Sequence, residues 1–307
     1  MENMVRKALK EMKKKKKIKK LAEANIKILK SGKIKFSKDQ KIDLSLFANE
    51  SIEGAVVSRL DGIISKEDVI IDTEDLRCDV LSTMTEDIKI AELSSQVTQT
   101  AISEQGIKNS IRTVNPPTIV ITINKKDAID VFDFLEGGTL GDILRCSTLA
   151  SIYSSDTIKP TWVELNKDDT SNFTNILFIP KVMIFIDRET REIRKTPYYV
   201  NLLIVAVPSV KRMKTDDENN VEEVTIPDAI ARVIADIAEA AIKCGCKDLI
   251  FDPYAYKLFT KDPRETANLW YLMTSSQRFI ENIHSINFAL EREDAFITFN
   301  AVLKHPD

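Results

Sequence analysis

The spacing of hydrophobic positions changes period several times along the chain, and each change marks an element. Between Thr225 and Leu290, apolar residues at Ile226, Ile230, Val233, Ile234, Ile237 and Ala241 recur every three or four positions, which predicts a helix with one buried face. Thr225, Pro227 and Asp228 give that helix its start: a hydroxyl cap, a proline in the first turn and an acid three residues on. Gly245 supplies the left-handed residue that ends it. Leu249-Ile250-Phe251 is short and wholly apolar, as a buried strand is. Asp262-Pro263, with Glu265 behind it, opens a second helix whose inward face is Ala267, Trp270 and Met273, and Ser285–Leu290 (SINFAL) predicts a closing strand. Helix, strand, helix, strand is the rhythm of an α/β unit with parallel strands.

Upstream, residues 1–20 read as a frayed basic tail that runs into a helix over Leu21–Lys30, patterned by Leu21, Ala24 or Asn25, Ile28 and Leu29, and Ser31-Gly32 ends it. Ile34, Phe36, Ile42, Leu44 and Leu46 alternate, predicting a hairpin about Ser37–Gln40. Ser51–Leu60 and Asp87–Thr100 read as helices and Val69-Ile70-Ile71 as a strand. After the Asn115-Pro116-Pro117 breaker, Thr118–Asn124 (TIVITIN) is β-branched almost throughout, the signature of a central strand buried on both faces. A helix is predicted over Leu140–Ser151, then a strand pair or one irregular strand over Asn172–Ile186. Tyr198–Val207 is a second fully apolar strand, and Lys211–Val221 an exposed polar loop. No internal repeat is present. The expected division is a basic tail (1–20), an N-terminal α+β region (21–115) and an α/β core (116–307).

Composition narrows the class. The chain has 307 residues, 43% hydrophobic and 30% charged, enough to bury a substantial core. No apolar run approaches a membrane span and no signal-peptide core opens the chain, so an intracellular protein, cytoplasmic or nuclear, with no membrane association is expected. Four cysteines are too few for a disulfide scaffold and read as reduced thiols. Cys244-Gly245-Cys246 is too tight for the usual C-x-x-C spacing, and the two histidines, His284 and His305, lie far from the other thiols, so no metal and no cofactor is expected.

The net charge of −3 is unevenly spread: lysines crowd Lys7–Lys20, and Ser65–Glu92 is acidic. Lys13, Lys14, Lys15, Lys16, Lys17, Lys19 and Lys20 are candidates for holding a protein partner or a polyanion such as nucleic acid. The plainer reading is a solvated, partly helical tail, and no aromatic residue interleaves the lysines to stack on bases. Neither G-x-x-x-x-G-K-[ST] nor G-x-G-x-x-G occurs, so ATPase and dinucleotide-oxidoreductase readings lack their signal. Ser147 with His284 makes no triad, because no G-x-S-x-G elbow is present.

Several local words, in order, resemble the microbial-type poly(ADP-ribose) glycohydrolases, a branch of the macrodomain superfamily. Leu21–Ile34 (LAEANIKILKSGKI) is similar to that family's first helix, and Arg145–Tyr153 (RCSTLASIY) to its R-x-S-x-L-Y word after the catalytic loop. Phe178–Asp187 (FIPKVMIFID), Tyr198–Pro208 (YYVNLLIVAVP) and Phe259–Ala267 (FTKDPRETA) resemble its later strands and the helix after its second loop. The similarity spans roughly residues 20–292. It implies a three-layer α/β fold, a macrodomain-like mixed sheet flanked by helices, with the α+β region in front.

The departures bear on function. In the family a strand ending L-N leads into a P-G-G-G loop and then A-Q-E-E; the glycines admit a diphosphate to backbone amides, and the glutamates deliver a proton to the leaving group. Here Asn124 matches the strand-end Asn, but the loop reads KKDAIDVFDFLEGGTLGDILRCS. Counting back from Ser147, the two glutamates fall on or near Leu140 and Gly141, which carry no acid. Glu136 and Asp142 are the nearest carboxylates, and a shifted register would bring in one of them.

The family's second loop, a G-A-W-G-C-G-type run, is replaced by Asp252-Pro253-Tyr254-Ala255-Tyr256-Lys257. Pro253 has no amide hydrogen to give, Asp252 would repel a diphosphate, and Lys257 offers a point charge in place of lost donors. Tyr254 and Tyr256 read as side chains that fill the old cleft. Asn124, Gly137, Gly138 and Lys257 remain the ligand-binding candidates for an ADP-ribose-like nucleotide. The leading expectation is a degenerate, non-catalytic binding or interaction module. The alternatives are a glycohydrolase with its acid relocated to Glu136 or Asp142, or a nucleotide binder without turnover.

Overall fold

A computed structural model of the chain describes residues 2–35, 41–60, 79–84, 116–129, 132, 138–167, 174–188, 190–208, 226–252, 262–290 and 292–304. It opens with the long helix α1 (Glu2–Ser31), which stops at Gly32 with φ +65, the conformation that only glycine reaches without a Cβ penalty. A two-stranded antiparallel pair follows, β1 (Lys33–Lys35) with β2 (Lys41–Asp43), as the alternation predicts. Leu44 and Leu46 do not continue it. Asp43 caps a helix instead, its Oδ1 accepting from Ser45 N at 3.0 Å, and Leu44–Glu53 is α2. The helix expected over Ser51–Leu60 is therefore the end of α2 followed by strand β3 (Val56–Leu60).

Among the described residues, seven strands form one mixed sheet in the order β3-β6-β7-β5-β8-β9-β4. They comprise β3, β4 (Asp79–Met84), β5 (Thr118–Asn124), β6 (Thr174–Ile186), β7 (Ile193–Val207), β8 (Asp248–Phe251) and β9 (Ser285–Leu290). β6 runs antiparallel to both of its neighbours, β3 and β7; β7, β5, β8, β9 and β4 are all parallel. The sheet thus takes strands from both sides of residue 115. Asn172–Ile186 holds one strand, not a pair: its irregularity is a register shift between Ile179 and Val182, where Lys181 has φ +54. Asn201 braces that bulge, accepting from Lys181 N at 3.0 Å and donating from Nδ2 to Pro116 O at 3.0 Å.

Side-chain alternation along the strands separates two cores. Ile119 and Ile121 of β5, with Leu202, Ile204 and Ala206 of β7, face a layer containing the C-terminal half of α1, α2, α3 (Gly138–Cys146), α4 (Leu149–Tyr153) and α5 (Ile158–Asn166). Val120, Leu203, Val205 and Val207 face the other way, onto α6 (Ile226–Lys243), α7 (Pro263–Thr274), α8 (Gln277–Asn282) and α9 (Glu293–Lys304). This is the three-layer mixed sheet flanked by helices that the sequence predicts. The apolar runs of β5 and β7 are needed because both faces of those strands are covered.

α6 and α7 follow from their sequence cues. Gly245, with φ +68, ends the turn after α6, and Asp262 Oδ1 caps α7 by accepting from Arg264 N at 2.9 Å. The capping role of Thr225 lies outside the described residues, as do the Asp87–Thr100 helix, the Val69–Ile71 strand and the Lys211–Val221 loop. The single helix expected over Leu140–Ser151 is broken into α3 and α4 at Ser147-Thr148. There Thr148 N donates to Met183 O at 3.1 Å, so the backbone leaves the helix to join the sheet.

Candidate functional site

The C-terminal ends of parallel strands are where an α/β sheet of this kind holds ligands; β5 and β7 end together here, and the last residue of β8, Phe251, pairs with Val120, four residues before the end of β5. Asn124, the last residue of β5, pairs with Val207, the last of β7, while Asp252 follows β8 and donates its backbone N to Val120 O at 3.2 Å. Asn124 leads into a short 3-10 turn, Lys125–Asp127, and its Nδ2 donates to Asp127 Oδ2 at 3.5 Å. Lys125 is buried in that turn, a cation at the strand end where the sequence pattern signalled only a polar connection. Asp252 is buried as well, so a carboxylate occupies the end of β8. Lys257, Tyr254 and Tyr256 lie outside the described residues.

The connection from β5 returns at Gly138, which opens α3 with φ +80; Glu136 and Gly137 lie outside the described residues. Within α3, Leu140 is 5% exposed and belongs to the core on the α1–α5 side of the sheet, and Gly141 is buried too. Leu140 and Gly141 therefore carry aliphatic surface turned to protein. Asp142, the described acid nearest to them, is held between two guanidinium groups. Its Oδ1 lies 2.5 Å from Arg145 and its Oδ2 lies 2.9 Å from Arg188.

Strand register separates the candidates. Arg188 lies in the turn just before β7, whereas Asn124 pairs with the last residue of that 15-residue strand. A strand of this length covers roughly 45–50 Å when extended. Asp142 is tethered to the near end of β7 and Asn124 sits at the far end, so the fold does not bring these two together.

Among the described residues, Ser147 is engaged and three of the four cysteines are suppressed by burial; the fourth, Cys78, lies outside them. Ser147 is fully buried, its Oγ donating to Ile143 O at 2.6 Å and accepting from Leu149 N at 3.1 Å, while the side chain of His284 is exposed. Burial pushes the thiols of Cys146 and Cys244 up to about 12, and that of Cys246 upward too. None of the three is a thiolate near neutral pH, which thiol nucleophiles and metal ligands require. Among the described residues no cluster of His, Cys, Asp and Glu could hold a metal ion, and no helix is long and apolar enough to cross a membrane.

No family model and no curated protein sequence matches the chain. Solved structures do. The poly(ADP-ribose) glycohydrolase of Thermomonospora curvata matches with a TM-score of 0.61 at 15% identity, over 92% of this chain and 97% of that one. The poly(ADP-ribose) glycohydrolase of Deinococcus radiodurans in complex with ADP-ribose matches with a TM-score of 0.54, also at 15% identity, over 84% of this chain and 96% of that one. This chain has the poly(ADP-ribose) glycohydrolase fold. On that fold, Leu140 and Gly141 lie in α3, the helix that follows the central strand β5. At the first strand end only Asn124 and Gly138 of the ligand-binding candidates fall within the described residues.

Proposed function

We propose that this chain is a non-catalytic module on the poly(ADP-ribose) glycohydrolase fold, one that has lost hydrolysis and tight ADP-ribose binding and serves as a binding or interaction unit. The observation that carries the reading is the burial of Leu140 and Gly141 in α3. Glycosidic cleavage needs an acid placed at the leaving oxygen, and these positions present a methyl-bearing side chain and a bare Cα to packed protein. Asp142 is a poor substitute, since both its oxygens are occupied by guanidinium donors and a proton transfer from it would first require breaking both pairs. The buried carboxylate of Asp252 weighs against a diphosphate at the end of β8. The ADP-ribose complex of the Deinococcus radiodurans protein makes ADP-ribose the ligand to test.

Two measurements on the full chain test this. Incubation with an ADP-ribosylated protein is expected to release no ADP-ribose, and ADP-ribose at millimolar concentration is expected to leave the melting temperature unchanged. Release that Glu136→Gln or Asp142→Asn abolishes would establish the relocated-acid enzyme instead. A ligand-dependent rise in melting temperature without release would establish a nucleotide binder.

A further inference from the structure

We propose that the lysine-covered part of α1 is a docking surface for double-stranded DNA, its helix lying along the groove between two phosphate walls. The proposal names a partner class for the interaction-module reading, yet it stands on a separate surface, and a chain that hydrolysed ADP-ribose would bind DNA equally well.

Charge segregation is the first observation. Residues 1–35 hold 14 of the 44 Lys and Arg and three of the 47 acids, a local charge of +11 in a chain of −3. The rest of the molecule therefore carries −14 and would repel a polyanion, so attraction is confined to α1 and the β1 region. The second is how the helix sits. α1 is anchored by Leu21, Ala22 and Asn25, all buried, whereas among the described side chains from Met12 to Lys20 only Ile18 is even partly covered. The helix leaves the body at about Leu21, and the 19 residues before it extend roughly 28 Å.

The third observation selects the partner. Lys13, Lys16, Lys17 and Lys20 share one face at spacings of three, four and seven, and Lys15 and Lys19 occupy the other sides. Charge on all sides suits a helix flanked by phosphates, and the DNA major groove is wide enough to admit one. A bilayer surface suits it less. Met4, Val5, Ala8, Leu9 and Met12 form a short apolar stripe in the sequence, but Lys16 and Lys19, four and seven residues after Met12, interrupt it. Single strands are bound through aromatic stacking, and no aromatic residue precedes Phe36.

The test is fluorescence anisotropy of the full chain with a labelled mixed-sequence 20-base-pair DNA duplex, a single strand of equal length, and vesicles of phosphatidylcholine with about 30% phosphatidylserine. Contact with four or five phosphates predicts a fall in duplex affinity of roughly a few hundredfold between 50 and 200 mM salt. Replacing Lys13, Lys16, Lys17 and Lys20 together by Gln, a comparable helix former, is expected to weaken duplex binding by at least about tenfold at 50 mM salt and to flatten the salt dependence, with unchanged helicity and melting temperature. The proposal is overturned if the duplex is not bound at 50 mM salt, if the quadruple variant binds it as the parent does, or if the single strand or the vesicles are preferred. None of these outcomes bears on ADP-ribose release, so the two readings fail separately.

Discussion

Asn25 Nδ2 lies 2.8 Å from Leu144 O, joining residues 119 positions apart, and the same amide reaches Ser147 O at 3.1 Å. Carbonyls at the end of a helix have no partner within it, and here α1 provides one for the end of α3. The contact fixes the first helix against the one whose residues decide the catalytic question. Asn25→Asp keeps the shape but sets a carboxylate against two carbonyls, so it is expected to cost more than Asn25→Ala, which itself removes two buried hydrogen bonds at about 2–4 kcal/mol. Denaturant unfolding of both variants checks the order; an Asp variant as stable as the parent would contradict it.

Asp236 on α6 is buried, with Thr174 Oγ1 donating to its Oδ2 at 2.5 Å. Burial holds its carboxyl up to about 6 from an ordinary 3.8, while the hydrogen bond from Thr174 and the charge of Arg232 act the other way. An acid that ionises less readily when folded contributes stability that is full below about 3.8 and is lost as pH rises through about 6. Asp236→Asn removes the ionisation and keeps a polar partner for Thr174. It is expected to be more stable than the parent at pH 7.5 by on the order of 1–3 kcal/mol, and to lose that advantage at pH 4. Urea titrations at the two pH values decide this; an equal gap at both would refute the linkage.

The Asp142–Arg145–Arg188 cluster is expected to matter for stability and not for turnover. Arg145 is 1% exposed, so Asp142→Asn withdraws the charge facing a buried guanidinium, at a cost of about 1–3 kcal/mol, discounted because Arg188 is partly in water. A lowered melting temperature with no change in ADP-ribose release is the predicted pair of results.

Gly54 has an ordinary φ of −87, and its glycine is required by space. A Cβ there would stand 2.7 Å from Pro180 Cγ, a ring carbon that cannot swing away. Gly54→Ala is expected to destabilise by about 1–3 kcal/mol, and the loss should shrink when Pro180→Ala is made alongside it, which a double-mutant cycle measures.

The parts of the fold legible in the sequence are those where the local signals agree. Thr118–Asn124 and Tyr198–Val207 read as buried strands because β-branched and apolar residues dominate both, α6 because its period agrees with the Gly245 stop, and α7 because period and cap agree. One departure comes from competing signals. Leu44 and Leu46 continue the alternation of Ile34, Phe36 and Ile42, yet the carboxylate of Asp43 caps a helix and the backbone follows the cap. Of the two alternatives for Asn172–Ile186, a strand pair or one irregular strand, the structure has the second, because the bulge absorbs Pro180 and Asn201 holds the freed amide of Lys181. β4, α5, α8 and α9 carried too little periodicity to be foreseen. At the candidate site, the absence of acids at Leu140 and Gly141 was readable by counting. The burial of Lys125 and the clamping of Asp142 were not, because both depend on neighbours distant in sequence.

The pairing of β4 with β9 joins Asp79 to Ser285, some two hundred residues later. While the chain emerges from a ribosome, Asp79–Met84 must wait unpaired until Ser285–Leu290 has been synthesised. A strand kept waiting exposes backbone that other chains can capture, so this border of the sheet would be the last to close and the first place where crowded nascent chains exchange partners.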